Sequence, residues 1–224
     1  MNSIFLPETN VRILIELKLQ AQSYYITKTW DGDAITHHPI QITIGPPDHA
    51  ARNLKITVTG PFFDDPPNPG GAPGQPFDGL WDYEVAEAFF LNDRDQYVEI
   101  ELSPHGQHLV LLLKGRRDAF KKLLPLNYTA TITGNRWKGV AYIPWEYFPP
   151  GVTKFNAYAI HGSGNNRIYE SLYPVPKGKY TDPDFHKLDY FQPIDLRHIL
   201  PSNSNQTYSS DVWKPVLDSV PFGK

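Results

Sequence analysis

Four glutamates, Glu84, Glu87, Glu99 and Glu101, fall in one short acidic and aromatic stretch that runs from Leu80 to Leu102. Its two halves, LWDYEVAEAFFL and QYVEIEL, read as paired strands joined by Asn92-Asp93-Arg94-Asp95. With the loop centred between Asp93 and Arg94, Glu87 pairs with Ile100, Ala88 with Glu99 and Phe90 with Tyr97. One face then carries Tyr83, Val85, Glu87, Phe89, Val98 and Ile100, and Glu87 is its single charge. An ionised carboxylate among apolar neighbours costs several kcal/mol unless it is paired. Glu87 therefore needs an Arg, a Tyr hydroxyl, backbone amides or a ligand. The opposite face, with Glu84, Glu99 and Glu101, is expected to meet solvent, and a slip of one residue would exchange the two sets.

Paired carboxyls about 5 to 9.5 Å apart are also the equipment of glycoside hydrolysis, but same-face neighbours on any strand satisfy that spacing. The enzymatic reading is Glu87, raised in pKa by burial, acting as general acid or base with a His partner. The eight histidines, at 37, 38, 49, 105, 108, 161, 186 and 198, show no local metal-ligand spacing. Asp64-Asp65, Asp82 and Asn92 to Asp95 offer oxygens without a calcium-loop pattern and read as turn and cap chemistry. There is no Gly-x-Ser-x-Gly elbow, and the glycines at 70, 71 and 74 are not followed by a helix that would receive a phosphate. No cofactor, no metal and no catalytic residue is assigned from these patterns.

The elements that must position these groups are strands. Apolar residues alternate at Val11 to Leu19, Ile40-Ile42-Ile44, Leu54-Ile56-Val58, Val98-Ile100-Leu102 and Leu126 to Ile132. Leu109 to Leu113 is continuously apolar, as expected of a strand covered on both faces, and Trp137 to Ile143 and Phe155 to Ile160 add two more. Only Asp118 to Leu124 resembles a helix. With 22 Pro and 16 Gly among 224 residues, long uninterrupted helices are not expected, and about ten short strands predict an all-β, antiparallel, jelly-roll-like sandwich with few helical turns. The folded domain is placed at 24–200, with an additional N-terminal strand in 1–23 and a polar tail over 201–224 that Trp213 can pin back.

Zero Cys excludes disulfides and thiolate chemistry, and Met1 is the single methionine. A net charge of −3 without basic runs argues against nucleic acid. Arg12, Glu16 and Lys18 interrupt the early apolar stretch, so neither a signal peptide nor a membrane span is read there and a cytoplasmic location is expected. Six prolines and four glycines between Pro61 and Leu80 predict a stiff, extended segment that leads into Phe77 and Trp81. It is a strand crossover, a wall of a binding site, or a docking segment for a protein partner.

Long motifs carry a resemblance. ITKTWDG from Ile26, LWDYEVAEAFFLND, SPHGQHLVLLLKGRR, PWEYFPPGVTKFNAYAIHGS, YESLYPVP and PDFHKLDYF are similar to the uncharacterised animal protein family 0462, of the chromosome 4 open reading frame 33 type. More distantly, Trp81 with Glu87 six residues on, Tyr97 to Gly106, Trp137 to Pro144, Phe155-Asn156 and Tyr173-Pro174 follow the element order of family-nine carbohydrate-binding modules. That resemblance implies a sandwich in which a sugar is held between two aromatic rings and Glu87 accepts hydrogen bonds from its hydroxyls. The chain departs from the pattern in having Tyr169 or Tyr173 where the second stacking Trp stands, and Glu99 and Glu101 where a basic residue is expected.

The reading that follows is a non-catalytic binding protein with an aromatic cleft for a saccharide or polyol. Its expected ligand contacts are Trp81, Glu87, Tyr173 and Tyr169, with His161 and His105 at the rim. The alternatives are an enzyme that uses Glu87 and a His in the same cleft, and an interaction scaffold built on 61–80.

Overall fold

The computed structural model describes residues 21–48, 50–196 and 210–217. The expected strand at Val11 to Leu19 lies outside the described residues, as does most of the polar tail. Among the described residues, thirteen strands form two antiparallel sheets. The first contains β1 (Gln22–Ile26), β3 (Ile40–Asp48), β4 (Asn53–Pro61), β10 (Arg136–Pro144) and β9 (Asn127–Thr133), side by side in that order. The second runs β2 (Lys28–Thr29), β12 (Ile168–Ser171), β11 (Val152–His161), β5 (Val85–Asn92), β6 (Tyr97–Leu102), β7 (His108–Leu113) and β8 (Ala119–Lys121), and β13 (Gln192–Pro193) also pairs with β11. The architecture is the expected β-sandwich, and no helix among the described residues is long and apolar enough to cross a membrane.

The two sheets read differently in sequence because they are covered differently. In β4 buried and half-buried residues alternate, so Leu54, Ile56 and Val58 enter the core while the residues between them face outward. Every residue of β5, β6 and β7 is buried. The inward set, Ala86, Ala88, Phe90, Val98, Ile100, Val110 and Leu112, packs on the first sheet. The outward set, Val85, Phe89, Leu91, Tyr97, Leu109, Leu111 and Leu113, forms a second apolar cluster with Tyr158 and Ile160, roofed by Phe185, Leu188 and Phe191. Tyr158 and Phe185 stack with ring centroids 4.1 Å apart and planes 11° apart.

Two local expectations change. Asp118 to Leu124 is not helical; Ala119–Lys121 is the edge strand β8, whose partner β7 supplies the hydrogen bonds a lone short helix would lack. The β5–β6 register is also one residue longer than the symmetric loop implies: Glu87 pairs with Glu101, Ala88 with Ile100 and Phe90 with Val98. The cause is the loop. The Asn92 side-chain oxygen accepts from the backbone N–H groups of Arg94 and Gln96, and Asp95 takes a positive φ of 56°. This Asx-type closure places the turn one residue later and puts Glu87, Glu99 and Glu101 together on the outward face, where they are buried rather than solvated.

The described C-terminal residues pack on the body. α1 (Lys214–Leu217) is a single turn preceded by Trp213, which is fully buried, donates through Nε1 to the Tyr147 carbonyl at 3.1 Å and meets Phe120 edge-on at 5.0 Å.

Candidate ligand-binding cleft

A cavity of about 300 Å³ opens over the outward face of the second sheet. Its floor is Glu87 and Phe89 of β5, Glu99 of β6, and Leu111 and Leu113 of β7. One wall is Trp81 and Tyr169, the roof is Phe185 and His186, and Arg117 and Lys122 stand on the far side. Trp81 follows the left-handed Gly79 (φ 76°) in a short 3-10 turn that buries Leu80 completely and leaves Trp81 39% exposed. Trp81 therefore stands partly exposed at the cavity wall, as a platform outside the core.

Arg167 holds that platform. Its Nη1 donates to the Asp82 carbonyl at 2.8 Å, Nη2 donates to the Trp81 carbonyl, Nε donates to the Tyr169 hydroxyl at 3.2 Å, and the guanidinium lies 5.6 Å from the Tyr169 ring centre. A planar fork with several fixed donors suits this task better than a lysine would. Gly162 allows the approach of the Arg167 segment, since a Cβ at its φ of +73° would meet the Asn166 carbonyl oxygen at 2.2 Å.

The floor is acidic but not ionised in the ordinary way. Burial pushes the carboxyl of Glu87 well above the usual range, helped by the charge of Glu99 and opposed by Arg167. Burial pushes Glu99 up to about 8, with a hydrogen bond to Glu101 and the charge of Arg117 pulling the other way. Glu101 rises through burial and through repulsion from Glu87 and Glu99. No protein donor among the described residues reaches either oxygen of Glu101 or Oε2 of Glu99. Contact between two carboxyls requires a proton, since a carboxylate only accepts. Geometry and burial agree on a floor that carries protons at neutral pH.

His186 is neutral for a complementary reason. Its Nδ1 lies 2.6 Å from the Tyr97 hydroxyl, which accepts from the Arg117 backbone N–H at 3.1 Å and keeps its own proton for a bond to a neutral Nδ1. Burial first, and then the charge of Arg117, lower His186 to about 4. Arg117 is itself tied to Asp184 at 2.7 Å.

Of the six residues expected to touch ligand, the structure brings Trp81, Glu87 and Tyr169 to this cavity. Tyr173 packs against the inner core, with its backbone N–H and carbonyl bound by Asn156. His161 points to the inter-sheet side at the end of β11 and bonds Glu170 at 2.8 Å, and His105 lies beside Phe62 and Asp64. Strand alternation separates them: Ile160 faces the cavity, so His161 next to it cannot. Sequence reasoning missed Arg117, Arg167, Phe185 and His186, because all four lie outside the regular strands and no periodicity marks them. Glu99 was legible only through the alternative register.

Segment 61–80 is bonded along the body rather than held away from it. Gly74 N–H donates to the Gly106 carbonyl at 2.8 Å, Phe77 N–H to the His108 carbonyl at 2.9 Å, and the Glu84 carboxylate accepts from the N–H groups of Phe63 and Asp64.

Comparison with known proteins follows the same lines. The chain is 51% identical over 194 residues to the mouse UPF0462 protein C4orf33 homolog, covering 85% of this chain and 99% of that one. It is 50% identical over 194 residues to the human UPF0462 protein C4orf33, covering 85% and 96%. No protein-family model matches the chain. Among solved structures, a "putative carbohydrate-binding protein" from Bacteroides uniformis ATCC 8492 superposes with a TM-score of 0.55 at 15% identity, over 83% of this chain and 90% of that one, and so shares the fold.

Proposed function

The chain belongs to the UPF0462 family of C4orf33 proteins, and from the geometry of its cleft we propose that it is a non-catalytic binding protein for a saccharide or similar polyhydroxylated ligand. One observation carries this reading: an open Trp81 ring, fixed through its own carbonyl by Arg167, stands at the rim of a cavity whose floor is buried, proton-bearing glutamates. The C–H face of a sugar packs on a π surface, and its hydroxyls require partners that both donate and accept. A neutral carboxyl does both, whereas a carboxylate only accepts. The name of the Bacteroides uniformis structural neighbour favours the same ligand class. A glycan array followed by titration calorimetry on the full chain tests the proposal; the expected result is a saccharide whose heat of binding is lost in Trp81→Ala, and no binding across the array refutes it.

A second reading has its own support, because His186 lines the same cavity as Glu87 and Glu99. Carboxyls with raised pKa beside a neutral imidazole are suited to acid–base work. Aryl glycosides distinguish the two readings: turnover by the wild type that Glu87→Gln abolishes would make the cleft an active site.

A further inference from the structure

We propose that His37, His161 and Glu170 form a binding site for a divalent transition-metal ion of the zinc class, at the β2–β12 edge of the second sheet and separate from the cleft. The three residues come from the 30–39 segment, the end of β11 and the middle of β12, and their donor atoms all lie within 4.8 Å of one another. Nε2 of His37 is 2.7 Å and Nε2 of His161 is 2.8 Å from the same oxygen, Oε1 of Glu170. Two imidazoles and a carboxylate are the donor set of many open zinc sites, with the fourth position left to water or a ligand.

The hydrogen bonding calls for a cation at this point, and the unpartnered second oxygen of Glu170 is what an ion pair leaves unexplained. Nδ1 of His37 lies 2.9 Å from the His38 carbonyl, a contact that requires an N–H at Nδ1. In the neutral ring this leaves a lone pair on Nε2, directed at a carboxylate oxygen that also carries lone pairs. Such an approach is repulsive unless a proton lies between them; a metal ion meets the same need once the carboxylate moves out to about 3.3 Å from each ring nitrogen, the ligand spacing that bonds of about 2.0–2.1 Å set on a tetrahedral ion. An Nδ1–H bonded to a backbone carbonyl is also the arrangement that orients metal-bound histidines. Glu170 is completely buried, and its second oxygen, Oε2, has no hydrogen-bond partner. A buried carboxylate oxygen without a partner is costly, and a metal ion that shares the carboxylate charge reduces that cost.

The rings are fixed before any ion arrives. Phe63 stacks on His161 with centroids 3.6 Å apart and planes 4° apart, and meets His37 edge-on at 4.9 Å. Access is from the His37 side, the more exposed of the three.

Metal-stripped, untagged full-length chain titrated with Co²⁺, followed by Zn²⁺ displacement, tests the proposal. The expected result is one equivalent of Co²⁺ with visible absorption of a four- or five-coordinate ion, displaced by Zn²⁺, and a melting temperature raised by Zn²⁺. His37→Ala and Glu170→Gln should each weaken binding by about 10–100-fold or more. No saturable one-equivalent binding, or unchanged affinity in His37→Ala, overturns it. Should Glu170→Gln fail to fold, His37→Ala still decides, because His37 is only partly buried.

Discussion

Glu87 and Glu101 stand directly opposite each other across β5 and β6, with Glu99 on the same face opposite Phe89. Directly opposed like charges destabilise a sheet pair, so the arrangement persists by holding protons. This gives stability a definite pH dependence. A carboxyl whose folded pKa lies above its unfolded value stabilises fully below the unfolded value and loses that contribution as pH rises through the folded one. Glu99, pushed up to about 8 from 4.5, therefore makes the protein less stable as pH climbs through that interval, and Glu84, pushed up to about 7 by burial, acts in the same direction. A tenfold difference in proton affinity between the folded and unfolded chain corresponds to about 1.4 kcal/mol. Denaturant melts of Glu99→Gln across this range should show a visibly flatter decline than the wild type; an equal or steeper decline would contradict a protonated floor.

His186 works at the other end. Its folded value, lowered to about 4, lies below the ordinary 6.5, so the unfolded chain takes up a proton that the folded chain refuses. Stability from this group is complete above about 6.5 and is lost as pH falls toward 4. Imidazole resonances should show His186 neutral at pH 5.5 to 6, with its proton on Nε2 when the Tyr97 hydroxyl donates to Nδ1 across the 2.6 Å contact. A protonated ring in that range would break the assignment.

Arg167 fixes the aromatic wall rather than the fold. Arg167→Lys loses the fork that joins the Trp81 and Asp82 carbonyls to Tyr169. The Trp81 indole N–H resonance should broaden or shift, and saccharide affinity should fall by about tenfold, or 1.4 kcal/mol, with little change in melting temperature. A large loss of stability with an unmoved Trp81 resonance would instead make Arg167 a structural clamp.

Much of this was legible before the structure. The sandwich follows from period-two alternation and from turn residues at short intervals. The continuous burial of β7 follows from Leu109 to Leu113, the choice of Glu87 from a charge set among apolar residues, and that of Trp81 from the proline-rich segment that leads into it and from the resemblance. The register was not legible, because it depended on one side chain, the Asn92 amide, closing the loop over Gln96. The roof of the cleft was not legible either: Phe185 and His186 reach it from a segment without regular structure, and its contact with the sheet is set by tertiary packing rather than by pattern. His37, His161 and Glu170 escaped for a related reason, since ligands drawn from three distant segments leave no local spacing.

Trp213 ties residues 210–217 to the sandwich. Truncation of a fully buried aromatic usually costs about 3–5 kcal/mol, and Trp213 also donates to the Tyr147 carbonyl. Trp213→Ala should lower the denaturation midpoint accordingly, and a change below about 1 kcal/mol would show that residues 210–217 pack without supporting the fold.

If the open Trp81 ring and the protonated floor beneath it form a saccharide site, the ring must contribute to affinity without supporting the fold. Calorimetric titration of the best array saccharide into the wild type and Trp81→Ala, side by side, tests this most directly. Saturable binding should weaken by about tenfold or more, at least 1.4 kcal/mol, in Trp81→Ala while the melting temperature hardly moves, since the ring is 39% exposed. Equal affinity in the two proteins would contradict a saccharide site at Trp81 and would place any ligand elsewhere on the molecule.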